Sequence, residues 1–246
     1  NYVNDKTLAV LSSYSGNTEE TLSAYEKVKA AGAKIFIISS GGKLIDIAKN
    51  EGYDYVKVPD NWPSPRACLG YSLVQQMYMV YKLGLIGKEK INQLKSSVDL
   101  VKFNMDDIKV KAEKIAELLN GKIPVIYTTD RMEAVAVRFR QQINENSKML
   151  CWHHVVPEMN HNELVGWRDK NDNLAVIYFR NRDDYKRNAI RIDINKEIIG
   201  QYTNTIIEVY SKGQSLIEKS IYFVHLGDWV SWYLSVLHHV DAIEVK

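Results

Sequence analysis

The stretch SYSGNTEET sets the small hydroxyl side chains of Ser13, Ser15, Thr18 and Thr21 around one glycine, Gly16. It stands between an apolar run and a segment with helical periodicity. A helix start offers unpaired N–H groups and a partial positive charge, so an anion is held there favourably. Ser13, Ser15 and Thr18 add neutral donors, Asn17 adds an amide, and Gly16 lets the backbone approach closely. Plain helix capping is the competing use, and Asn17 with Glu20 fits the N-cap and third-position box. Capping needs one or two such groups, and this cluster exceeds that need. The lysine of a P-loop and the spacing of GxGxxG are both missing, which disfavours a nucleotide. The anion expected is a phosphate.

Two further stretches carry side chains able to do chemistry. Arg66 lies in WPSPRACLGYS, where Pro63 and Pro65 restrict the loop backbone. A guanidinium presented this way can stabilise developing negative charge, although a loop arginine is more often a solvated one. VVPEMNHNELVGW carries Glu158, His161 and Glu163 in a polar turn after an apolar run. A carboxylate there can move a proton, or merely open a short surface helix. His161 can orient the acid, touch substrate hydroxyls, or serve as an ordinary structural histidine. Cys151, His153 and His154 lie nearby, but neighbours on a strand point to opposite faces. No HExxH or CxxC is present, so no metal site is expected.

The elements that must position these groups alternate. TLAVLSS (from Thr7), KIFIISS (from Lys34) and YDYVKVP (from Tyr53) are short, apolar and rich in β-branched or aromatic residues, as buried strands are. Helical spacing separates them, with stops at Gly32 and Gly52. A mostly helical stretch follows from about Leu69 to Leu119. Strands are then predicted from Ile123, Met149, Leu174 and Thr205, with helices from Arg131, Asp183 and Lys219. This is the pattern of βαβ units and parallel sheets, begun twice. The reading is therefore α/β with two doubly wound parallel-sheet domains, at 1–85 and 121–246, and a helical connector at 86–120. The chain opens NYVND without a methionine and ends at Lys246. We expect the first domain to lack its N-terminal unit and the second to be incomplete at its C-terminus.

Composition bounds the function. The 246 residues are 46% hydrophobic and 25% charged, ordinary for a folded soluble chain. A net charge of +2 gives no electrostatic grip on nucleic acid or an anionic membrane. No apolar run reaches bilayer length, and no signal peptide is visible. Cys68 and Cys151 are expected to be reduced thiols in a cytoplasmic protein.

The motif S-x-S-G-x-T-x-E-T after a buried strand resembles the phosphate loop of the sugar isomerase (SIS) domain. WPSPRACLGYS, PEMNHNE and LGDWVSWYL (from Leu226) resemble segments of the bifunctional phosphoglucose/phosphomannose isomerases, which carry two SIS domains in tandem. The resemblance covers nearly the whole chain, and PEMNHNE is its most specific part. It implies an enzyme interconverting glucose 6-phosphate, and mannose 6-phosphate, with fructose 6-phosphate through a cis-enediolate. It makes Glu163 the proton-shuttling carboxylate, with Glu158 as rival, and Arg66 the group that stabilises the enediolate. The phosphate falls to Ser13, Ser15, Gly16, Asn17 and Thr18, while Pro63 and His161 shape the substrate pocket. It implies no cofactor, a homodimer, and no partner beyond the hexose phosphate. The family places a ring-opening histidine where this chain has Tyr185, whose far higher ordinary pKa makes it a poorer proton carrier. Its C-terminal lysine is not matched by Lys246. A non-catalytic sugar-phosphate sensor and another SIS isomerase are the alternative readings; the first would need only the phosphate loop.

Overall fold

The computed structural model describes residues 2–244. Asn1, Val245 and Lys246, and so the reading of Lys246, lie outside the described residues. The chain forms two compact units, Asn1–Ile91 and Asn92–Lys246.

In the first unit, β1 (Leu8–Ser12), β2 (Lys34–Ser39) and β3 (Asp54–Lys57) pair in parallel in the order β1-β2-β3. The crossovers are α1 (Glu19–Ala30) and α2 (Gly42–Glu51). Side chains alternate along a strand, so Ile35 and Ile37 of β2 share one face. They join Leu11, Tyr25, Leu44, Ile45 and Ala48 in the core under the helices. On the other face, Phe36 and Val56 line a cleft of ≈ 430 Å³ with Tyr78 and Met79 of α3 (Leu69–Lys82). Gly52 ends α2 in the left-handed conformation, φ 77°, where a side chain would be strained.

The second unit holds β4 (Ile123–Thr129), β5 (Trp152–Val156), β6 (Leu174–Arg180) and β7 (Ile206–Tyr210), all parallel, in the order β5-β4-β6-β7. Chain order reverses around β4, and open sheets of this kind bind ligands beyond their carboxyl ends. The core sits on both faces of the sheet. Ile126, Ile177 and Phe179 point one way, onto α5 (Met105–Leu119), α6 (Glu133–Ser147) and α8 (Leu216–Leu237). There Phe179 stacks on Phe223 with ring centroids 4.5 Å apart. Tyr127, Val176 and Tyr178 point the other way, towards Ile192 and Ile199 of α7 (Lys186–Ile199).

Local chemistry moved several boundaries. β5 starts three residues after the expected Met149, because the Met149 carbonyl accepts a hydrogen bond from the Asn144 amide (2.7 Å) instead of from a strand. α7 starts after Asp184, whose carboxylate turns back to accept from the Asn181 N–H at 2.8 Å. α8 starts at Leu216, where Ser215 and Glu218 form a capping box. The expected connector divides into two helices, α4 (Lys88–Phe103) and α5. Its last helix, α5, buries Ile108, Ala112, Ile115, Ala116 and Leu119 in the second unit's core, so it is part of that unit and not a spacer. Among the described residues, no helix is long and apolar enough to cross a membrane.

Candidate active site

In the first unit the serine turn does follow β1 and open α1. The structure divides its labour in a way composition could not show. Ser13 is buried and organises the turn: its Oγ accepts from the Gly16 N–H (3.2 Å) and pairs with Thr18 Oγ1 at 2.7 Å. Ser15 and Thr18 are exposed, and Ser15 Oγ accepts from the Asn17 N–H at 3.2 Å. The capping box read from Asn17 and Glu20 does not form. Thr18 holds the N-cap of α1 with no side-chain cap, and Asn17 Oδ1 instead accepts from the Lys43 N–H at 3.1 Å. The start of α1 thus keeps the donors an anion would use.

Asn17 reaches Lys43 because the turn after β2, Ser39 to Gly42, is locked against the serine turn. The Leu44 N–H donates to the Gly16 carbonyl (3.1 Å), and the Ser40 N–H to the Tyr14 carbonyl (2.9 Å). Gly16 and Gly42 make the fit possible. Both have positive φ, at 69° and 66°, and a Cβ on Gly16 would lie 1.9 Å from the Gly41 carbonyl oxygen. A Cβ on Gly42 would lie 2.3 Å from the Ser15 carbonyl oxygen. Gly16→Ala is therefore expected to destabilise the unit by at least the left-handed backbone cost, about 1–2 kcal/mol, and to weaken phosphate binding by parting the turns. Thermal melts and inorganic phosphate titrations of the variant check this; an unchanged Kd would mean that the interlock does not shape the anion site. SSGGK was not singled out from sequence, although its paired glycines were the available signal.

Arg66 lies in a short 3₁₀ turn, Pro65–Cys68, and is half-buried. Ser64, ahead of it, is buried, and Cys68 Sγ contacts the Ser64 carbonyl at 3.7 Å. Pro63 is exposed in the same loop. The serine turn and Arg66 thus both belong to the strand-end loops of one unit.

In the second unit, PEMNHNE leaves the carboxyl end of β5 and forms two short 3₁₀ turns, Glu158–Asn160 and Glu163–Gly166. Met159, in the first of them, is fully buried and pins the segment to the sheet. Glu158 and His161 are exposed. Asn162 joins the two acids: its Oδ1 accepts from the Glu163 N–H (2.6 Å) and its Nδ2 donates to Glu158 Oε1 (3.1 Å). Glu163 is half-buried, and its Oε1 accepts from the Tyr127 hydroxyl and from Trp152 Nε1 (3.2 Å). Trp167 Nε1 donates to the same phenol at 3.1 Å. Burial first, then the Glu163 carboxylate, hold the Tyr127 phenol far above its ordinary pKa, so it stays protonated and donates. Glu163 lines a cleft of ≈ 380 Å³ with Trp152, Trp167 and Leu174, beside the first residues of β5 and β6. Glu158 stands two residues beyond the opposite, carboxyl end of β5.

Two other features were not read from sequence. A cavity of ≈ 570 Å³ at the end of α6 is lined by Glu145, Lys148, His239 and Asp241. At the carboxyl end of β6 Arg180 is 5% exposed, and its guanidinium pairs with Asp193 (2.6 Å) and Glu208 (2.8 Å). Burial opposes the charge on Glu208, but its bonds to Lys196 and Arg180 outweigh that and hold its carboxyl below the usual range. Tyr185, where the resemblance calls for a histidine, is the exposed N-cap of α7. Among the described residues no three His, Cys, Asp or Glu side chains converge as a metal site would require.

The fold is that of the sugar isomerase domain proteins. Glucosamine-6-phosphate deaminase from Thermotoga maritima superposes over 97% of this chain and 73% of its own, with a TM-score of 0.74 at 16% identity. The model of the bacterial phospho-glucose isomerase C-terminal SIS domain matches residues 108–246, and so takes in all but the first three residues of α5. The bifunctional phosphoglucose/phosphomannose isomerases of Caldicellulosiruptor bescii and Aquifex aeolicus are 39% and 37% identical, over the whole of this chain and 75% of theirs. The chain belongs to the bifunctional phosphoglucose/phosphomannose isomerase family, and it is an enzyme of that family.

Proposed function

We propose that the protein interconverts glucose 6-phosphate and mannose 6-phosphate with fructose 6-phosphate, moving one proton between C1 and C2 through a cis-enediolate. The observation that carries this reading is the serine turn: an uncapped helix start with exposed Ser15 and Thr18, set rigidly by Ser13 and Gly16. That geometry suits the phosphate of a sugar phosphate better than a nucleotide, and the full-length relatives are sugar-phosphate isomerases by name.

Isomerisation then needs a base and a stabiliser of enediolate charge. Glu163 is the base in this proposal. Two neutral donors on Oε1 fix its carboxylate. Arg66 stabilises the oxyanion, with Pro63 stiffening its loop and His161 shaping the hydroxyl end of the pocket. One observation favours a second reading for the base: Glu158, not Glu163, stands at the carboxyl end of its strand, where sheets of this class bind ligands.

A coupled assay with glucose 6-phosphate, mannose 6-phosphate and glucosamine 6-phosphate tests the proposal. Fructose 6-phosphate is expected from the first two and not from the third. Saturable binding of all three without turnover would turn the reading into that of a sensor.

A further inference from the structure

Nothing in the chemistry assigned above uses Tyr14, yet it touches three strand-end loops of the first unit. It lies inside the serine turn that follows β1. Its carbonyl oxygen gathers donors from the turn after β2: the Ser40 hydroxyl at 2.6 Å, the Ser40 N–H at 2.9 Å and the Ser39 hydroxyl at 3.2 Å. Its phenol reaches the loop after β3, accepting from the Trp62 N–H at 3.2 Å and lying 3.5 Å from the Trp62 carbonyl oxygen. The Cys68 thiol, two residues beyond Arg66, also interacts with the phenol. Backbone and side chain of one residue therefore bind different loops. The segment it reaches, Trp62 to Cys68, is the one that carries Arg66.

We propose that Tyr14 is a positioning residue: its phenol holds the Trp62–Cys68 segment against the phosphate turn, so that Arg66 keeps a fixed place relative to the bound anion. The proposal rests on the roles given above to the turn and to Arg66. In this loop Trp62, Pro63 and Pro65 are exposed while Ser64 and Cys68 are buried, and the two proline rings offer no N–H donor to tie its outer part down. The phenol supplies the cross-link in their place. Such a link acts on the transition state more than on ground-state binding, because the phosphate turn stays intact when it is cut.

Tyr14→Phe removes the hydroxyl and keeps the ring and the carbonyl contacts. It is expected to lower kcat about 10-fold or more, since a misplacement near 1 Å can cost about 10²-fold, with KM for the hexose phosphate within about twofold. Amide hydrogen exchange across residues 61–68 is expected to quicken. In an Arg66→Ala background, adding Tyr14→Phe is expected to lower kcat no further, because the tether acts through that guanidinium. Unchanged exchange, or an equal loss of kcat in both backgrounds, overturns the proposal. Full activity in Arg66→Ala alone would instead be a failure of the assigned chemistry, and faster exchange in Tyr14→Phe would still uphold the tether itself.

Discussion

Glu163→Gln is expected to bind fructose 6-phosphate with nearly unchanged affinity and to lose about 10²- to 10⁴-fold in kcat, the usual contribution of a positioned general base. Glutamine preserves the shape of the side chain and can still accept from Tyr127 and Trp152 through its carbonyl oxygen, so the cleft should stay folded. What is lost is the site for the proton in transit. The variant should therefore stop exchange of the C2 proton with solvent deuterium as well as net isomerisation. Glu158→Gln is the necessary companion. Its carboxylate is exposed and engaged by Asn162, so the exchange to an amide should cost little stability. If Glu158→Gln alone abolishes deuterium exchange, the base belongs at the carboxyl end of β5, and Glu163 reverts to a structural acid holding Tyr127. Glu145→Gln makes a third arm, because Glu145 lines the cavity shared with Lys148 and His239. Loss confined to that variant would move the proton transfer there.

The three acids illustrate what a sequence can and cannot display. Short apolar runs rich in β-branched and aromatic residues marked the strands, as expected for a parallel sheet covered on both faces, where even neighbours such as Ile126 and Tyr127, which face opposite ways, are both buried. Glycine at 52 signalled a helix end because a left-handed residue is needed there. The serine turn was visible because its donors fall close together in the chain, within residues 13–18. Division of labour within it was not visible, since whether a serine organises a turn or faces a ligand depends on burial. Ser13 and Ser15 are chemically alike and differ only in where the chain folds over them. Glu158 and Glu163 stand in one short motif, yet they serve opposite ends of β5. A linear spacing of five positions carries no record of the two 3₁₀ turns, one begun by each acid, that set them apart. Tyr14 was hidden for a related reason: its partners, Ser39, Ser40 and Trp62, are distant in the chain and share no pattern with it. The role of α5 escaped because a helix with an apolar stripe reads the same whether it bridges two domains or completes one.

Arg66→Ala is the second substitution expected to have a large effect, and it separates charge stabilisation from binding. A preorganised donor aimed at developing charge is worth about 10²- to 10³-fold in kcat when removed, or roughly 3–4 kcal/mol. The loss should fall mainly on kcat, because the substrate carbonyl carries little charge before the proton moves, whereas the enediolate oxygen carries much more. KM should rise only modestly, held by the serine turn. Arg66→Lys tests the geometry further. Lysine restores the charge but not the planar fork, and its ammonium swings on a flexible stem, so partial recovery is expected and full recovery is not. Competitive inhibition by a hexonate phosphate, whose carboxylate mimics the enediolate charge, supplies the thermodynamic counterpart. Affinity for that inhibitor should fall in Arg66→Ala by a factor well above the change in KM for the neutral-headed substrate. Equal losses for inhibitor and substrate would place Arg66 in general anchoring, not at the reacting carbons, and enediolate stabilisation would have to come from another cation.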